Sequence, residues 1–130
     1  MLIKEIYDKK EKIEVSKGIL NSLPNWFGIP EATREYIDES SRLPFFIAVE
    51  ESKVVGFISI KENSKYTAEV HVMGVLSDYH KRGIGRKLIN KVLKWSKEQG
   101  YEFLQVKTLD ESHPDIYYEG TRKFYKSVGF

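Results

Sequence analysis

Cysteine is absent from all 130 residues, so the chain can form no disulfide, no thiolate metal site and no acyl-cysteine intermediate. That composition is compatible with a reducing, intracellular setting. Charge of one sign is also missing: 21 Lys and Arg stand against 19 Asp and Glu, a formal net charge of +2. A general nucleic-acid binder carries a one-signed surplus, so any phosphate binding here must be local. No apolar run approaches the ~20 residues of a membrane span. Residues 1–8 alternate apolar and charged side chains rather than forming a secretory leader. A cytoplasmic protein without membrane contact is expected. Repeats, low-complexity tracts and linkers are lacking too, so residues 1–130 are expected to form a single domain. With 41% hydrophobic and 13% aromatic residues, a chain of this length can bury about two thirds of its unfolded surface, which excludes disorder as the main state.

Leu2, Ile3 and Ile6 mark a short extended opening, and the Lys-rich segment 9–20 reads as a helix. Pro24 and Gly28 interrupt the chain, and Pro30 followed by Glu31 starts a short acidic helix to about Asp38. After Pro44, the run 45–49 and the run 54–60 are rich in aromatic and β-branched residues and flank a turn at Glu51, Ser52 and Lys53. They predict an antiparallel hairpin. A third strand over 66–75 alternates Ala68, Val70 and Val72 with Glu69 and His71. The strongest pattern follows: Ile84, Leu88, Val92 and Trp95 recur at spacings of three and four, with Ile89 and Leu93 widening the stripe, and Gly100 ends the helix. Residues 101–106 then read as a strand, and strand, helix, strand implies a parallel crossover in a mixed α/β fold. Ser112 and Pro114 predict a last helix on which Tyr117, Thr121, Phe124, Tyr125 and Val128 share a face, closed by Gly129.

Chemistry is expected where the third strand turns into the main helix, at His80, Lys81, Arg82, Gly83, Ile84, Gly85 and Arg86. The first amides of a helix have no internal partner and carry the positive end of its dipole. Glycine at positions 83 and 85 lets phosphate oxygens approach them, so a diphosphate fits. Lys81, Arg82, Arg86 and Lys87 add mobile positive charge. The plainer alternative is a tight turn with a solvated basic face. A P-loop would need Gly-Lys-Ser/Thr where Gly85 is followed by Arg86 and Lys87, and a dinucleotide turn would need glycine at Leu88. RNA binding on a sheet face is disfavoured by Glu50, Glu51 and Glu69 among the aromatic strands. The three histidines, His71, His80 and His113, show no metal-ligand spacing, and no metal is proposed.

The turn His80-Lys81-Arg82-Gly83-Ile84-Gly85 resembles the acyl-CoA-binding motif Arg/Gln-x-x-Gly-x-Gly/Ala of the GNAT superfamily of N-acetyltransferases, with His80 in place of Arg or Gln. The ending Tyr125-Lys126-Ser127-Val128-Gly129-Phe130 is similar to the family's Tyr-x-x-x-Gly-Phe, so the likeness extends over 45–130. It implies a splayed mixed sheet flanked by helices, here lacking the family's usual C-terminal strands, with acetyl-CoA as co-substrate. The pantetheine arm would pair with the backbone of Met73, Gly74 and Val75, Gly74 suiting a bulge. Glu69 and His71, expected on the same strand face as Met73 and Val75, are candidate bases for the attacking amine. Glu69 is favoured because its place eleven residues before His80 matches the family's glutamate. Tyr125 matches the tyrosine that protonates the leaving thiolate, whereas the family's Asn seven residues earlier is Tyr118 here.

Without cysteine, direct transfer in a ternary complex is expected rather than an acyl-enzyme. The acceptor region implied by the likeness includes Trp26, Phe27 and the acidic residues Glu31, Glu35, Asp38 and Glu39, which favour a small-molecule amine over nucleic acid. A shortened sheet would leave an open edge beside 101–106, for which a second subunit, a homodimer, is a natural cover. The alternative function is a CoA-binding regulatory module without turnover.

Overall fold

The computed structural model describes residues 1–23, 30–79, 82–107 and 121–124. Among these residues the order is β1 (Leu2–Ile6), α1 (Lys9–Asn21), α2 (Pro30–Ser40), β2 (Phe45–Glu50), β3 (Lys53–Glu62), β4 (Thr67–Val75), a 3-10 turn (Ser77–Tyr79), α3 (Ile84–Glu98), β5 (Phe103–Lys107) and β6 (Thr121–Phe124). All the strands lie in one sheet in chain order. The β4/β5 pair is parallel and the others are antiparallel. No helix among the described residues is long and apolar enough to cross a membrane.

Local chemistry sets the element ends. The Asp8 carboxylate accepts from the Glu11 N–H at 3.0 Å and caps α1, while Pro30 opens α2 with its fixed φ. Past α3, Gly100 sits at φ 91°, the Gly100 N–H donates to the Lys97 carbonyl and the Tyr101 N–H to the Ser96 carbonyl. This paired closure satisfies two terminal carbonyls and turns the chain into β5.

The sheet is covered on both faces. On one face α3 lays Ile84, Leu88, Ile89 and Val92 against Phe46, Ile58, Val70, Met73 and Val75. On the other, Ile19 and Leu20 of α1 meet Phe45, Ile47, Phe57 and Val72, with Tyr36 and Ile37 of α2 packed at the margin. Two polar contacts, one part-buried and one buried, hold that second layer in place. The Lys12 ammonium, whose pKa burial lowers, donates to the Leu43 carbonyl at 2.7 Å, and the Ser40 and Ser59 hydroxyls bond at 3.0 Å. The first ties α1 to the segment that follows α2, and the second ties the end of α2 to β3.

The structure departs from the helix expected over 112–129. Residues 121–124 of that segment form β6, with Leu104 opposite Phe124 and Lys107 opposite Thr121; its other residues, 112–120 and 125–129, lie outside the described set. The open row of backbone groups along β5 offers hydrogen bonds that do not depend on side-chain periodicity, and it outweighs a helical pattern of aromatic positions. The edge that suggested a second subunit is thus occupied by the chain's own strand.

Candidate active site

β4 carries the candidate chemistry, and its register is interrupted. Ser59 lies opposite Val72 but Ile60 lies opposite Val70, so His71 is an extra residue on β4. The bulge therefore falls at His71 and not at Gly74. It also reverses the alternation of the strand. Ala68 and Val70 before it, and Met73 and Val75 after it, all join the core under α3, whereas Val72 joins the core under α1. Glu69 and His71 consequently face α1 and α2, opposite to Met73 and Val75, which corrects the expectation of a shared face. Gly74 has a different reason to be glycine: a Cβ there would stand 3.0 Å from Ile19 Cγ2, so its absence lets α1 lie close on β4.

The pairing of β4 with β5 is short. It covers Thr67 with Phe103, Ala68 with Leu104 and Glu69 with Gln105, while β4 runs on beside β3 to Val75. Beyond Glu69 the two strands part, and the sheet forks. Asn63, in the turn between β3 and β4, bridges the last rung: its Nδ2 donates to Glu69 Oε1 at 3.0 Å and lies 3.4 Å from Gln105 Oε1. Nearby, the Tyr101 hydroxyl donates to Glu62, and burial with that carboxylate pushes its pKa up to about 12.

His71 is half-buried beneath α2. Its ring meets Tyr36 edge-on, with centroids 5.6 Å apart and planes at 67°. Nε2 is buried and has no hydrogen-bond partner among the described residues. Burial pushes the imidazole pKa below its usual 6.5; Glu39 and Glu69 act against that shift and Lys61 with it. The neutral form, which can accept a proton, is therefore favoured. Of the acidic residues of α2, Glu31, Glu35 and Asp38 are exposed, and Glu39 is half-buried on the side that acts on His71.

At the far end of β4, Gly83 is the N-cap of α3, with φ 76° and no side-chain cap. The first bond of the helix runs from the Lys87 N–H to the Gly83 carbonyl at 3.0 Å, so the amides of Ile84, Gly85 and Arg86 precede it. Nothing lies within 4 Å of where a Gly83 Cβ would stand. This open, uncapped and positively polarised turn fits the pyrophosphate of a nucleotide thioester. Arg86 and Lys87 are exposed beside it. Arg82 is drawn elsewhere, 5.0 Å over the Tyr79 ring and 4.0 Å from Glu50 Oε2. His80, Lys81 and Tyr125, like Trp26 and Phe27, lie outside the described residues.

Sequence reasoning passed over Tyr36 and Asn63. Tyr36 reads as an ordinary helix-face aromatic and Asn63 as a turn residue, and only the pairing of distant strands and helices gives either a role.

A forked mixed sheet, with an uncapped glycine turn leading into the helix that packs on it, defines the acetyltransferase class of fold. The profile of the acetyltransferase (GNAT) family matches residues 14–130, and the chain belongs to that family. It is 31% identical over 75 residues to streptothricin acetyltransferase A of Bacillus subtilis, covering 58% of this chain and 43% of that protein. It is 32% identical over 92 residues to an uncharacterized N-acetyltransferase of Methanocaldococcus jannaschii, covering 66% and 38%. The chain thus spans less than half the length of either relative. In fold it is similar to an aminoglycoside 6'-N-acetyltransferase solved with coenzyme A, with a TM-score of 0.66 and 23% identity over 83% of this chain and 62% of that one.

Proposed function

We propose that this protein transfers an acetyl group from acetyl-CoA directly to a primary amine of a small molecule within a ternary complex. The observation that carries the reading is the fork: β4 loses β5 as a partner after Glu69 and continues to Val75, toward the open N-terminus of α3. In this reading the amides of Ile84, Gly85 and Arg86 take the pyrophosphate, and the arm runs along Met73, Gly74 and Val75. Acetyl-CoA supplies the activated thioester; its acetyl carbon bonds to the amine nitrogen as the carbon–sulfur bond breaks.

The chain's own groups manage the protons. An amine arrives as an ammonium, attracted by the carboxylates of Glu69 and Glu39, and must lose a proton before it can attack. Glu69 is the preferred acceptor. His71, kept neutral by burial, is the second candidate on the same face. Tyr125 is assigned the return of a proton to the departing thiolate on the strength of its spacing to Gly129 and Phe130. The aminoglycoside and streptothricin acetyltransferases to which the chain is similar support a small-molecule amine as acceptor.

The test is thiol release from acetyl-CoA across a panel of amines that includes aminoglycosides and streptothricin. Turnover is expected with at least one acceptor, with intersecting initial-rate patterns. Glu69→Gln is expected to lower kcat by about 10²–10⁴-fold while calorimetry shows unchanged coenzyme A affinity. Binding of acetyl-CoA with no release on any acceptor would leave a CoA-binding module instead.

A further inference from the structure

Glu69 stands at a particular rung. It is the last β4 residue to pair with β5, its Cα partner is Gln105, and beyond it the strands separate. A carboxylate beside a fork is useful as a base only if side-chain contacts hold it toward the opening. Asn63 is placed to do this. The Asn63 N–H donates to the Thr67 carbonyl at 2.9 Å, and the neighbouring Ser64 N–H donates to the same oxygen at 3.1 Å, which pins the turn two residues before Glu69. From that anchored position Nδ2 reaches Glu69 Oε1 at 3.0 Å and lies 3.4 Å from Gln105 Oε1. The amide thus spans the rung on which the two strands last meet.

Resting on the assignment of Glu69 as the base, we infer that Asn63 is a positioning residue for that carboxylate, holding it at the point of the fork so that it meets the amine rather than turning into solvent. The geometry suits the role. The short Asn side chain has few rotamers, its backbone is already fixed by the turn, and its amide donates to the Oε1 atom of the carboxylate. An Asp at this position has the same shape but presents an acceptor to an acceptor.

The test combines kinetics with a measurement that needs no turnover. In the free protein, the side-chain amide resonances of Asn63 are expected to move on Glu69→Gln, because a charged acceptor is replaced by a neutral one. Asn63→Ala is expected to lower kcat about tenfold, as a displaced catalytic group does, and Asn63→Asp to lower it further. KM for acetyl-CoA should stay within about twofold in both, since the α3 turn is untouched. In the Glu69→Gln background Asn63→Ala should cause no further loss. Three results would overturn the inference: an unmoved amide resonance, a normal kcat in Asn63→Ala when Glu69→Gln is crippled, or an Asn63→Ala loss of equal size in both backgrounds. Full turnover by Glu69→Gln is a separate outcome; it removes the base assignment itself and leaves Asn63 nothing to position.

Discussion

His71 shows how one inserted residue changes the use of its neighbours. As the extra residue in β4 it lies under Tyr36, with a buried Nε2 and no described partner for it, and burial disfavours its charged form. The sign of the linkage follows. With a folded-state pKa below the usual 6.5, the unfolded chain takes up the proton first on acidification. The contribution of His71 to stability is therefore complete above pH 6.5 and is lost as the pH falls through the folded-state value. Thermal unfolding from pH 8 to pH 5 should show Tm declining on the acid side, with a shallower decline in His71→Gln. Equal acid slopes in the two proteins would contradict this account. The histidine was visible in the sequence as a polar residue in an alternating strand. Its burial and its contact with α2 were not, because both depend on residues more than thirty positions away.

Turns and bulges decide register at the scale of elements. The β2/β3 hairpin closes through Glu51 and Ser52, both at left-handed φ, 50° and 68°. Two positive φ values in a two-residue loop match the right-handed twist of the strands, but side-chain-bearing residues are strained there. Ser52→Gly should raise stability by about 0.5–1 kcal/mol, read as an increase in the denaturant midpoint at constant m-value. The hairpin itself was legible from two β-rich runs separated by a polar triplet. The β4 bulge was not, since no Gly or Pro marks His71 and a bulge is expressed only against a partner strand. The same limit applies to Gly74, whose missing side chain serves the approach of α1 rather than an irregularity in its own strand. Across α3, by contrast, the stripe of Ile84, Leu88 and Val92 places the buried face directly, because a helix sets its period from its own hydrogen bonds.

At the scale of the whole molecule, the described residues form one sheet with a core on each face. Leu20 of α1 and Leu88 of α3 are both fully buried against the sheet. Truncating either to Ala should cost about 2–5 kcal/mol. Because both layers share the strands, far-UV circular dichroism and tryptophan fluorescence should report a single coincident transition in each variant. Separate transitions for the two probes would show that the layers unfold independently. The arrangement also bears on association. The open edge beside β5 was the reason to expect a second subunit, and β6 takes that edge, so strand coverage no longer calls for a partner there.

The sequence by itself determined the helices with a clear apolar period, the hairpin, the parallel crossover and the glycine turn at residues 83–85, because each is written in contiguous residues whose local geometry follows from period, caps and φ preference. It also carried the family likeness that the profile match bears out. Tertiary structure alone decided which face Glu69 and His71 occupy, where β4 and β5 part, which carboxylate of α2 acts on His71, and that 121–124 pair as a strand. Each of these is a relation between segments distant in sequence, fixed by backbone hydrogen bonds and burial that no local pattern encodes.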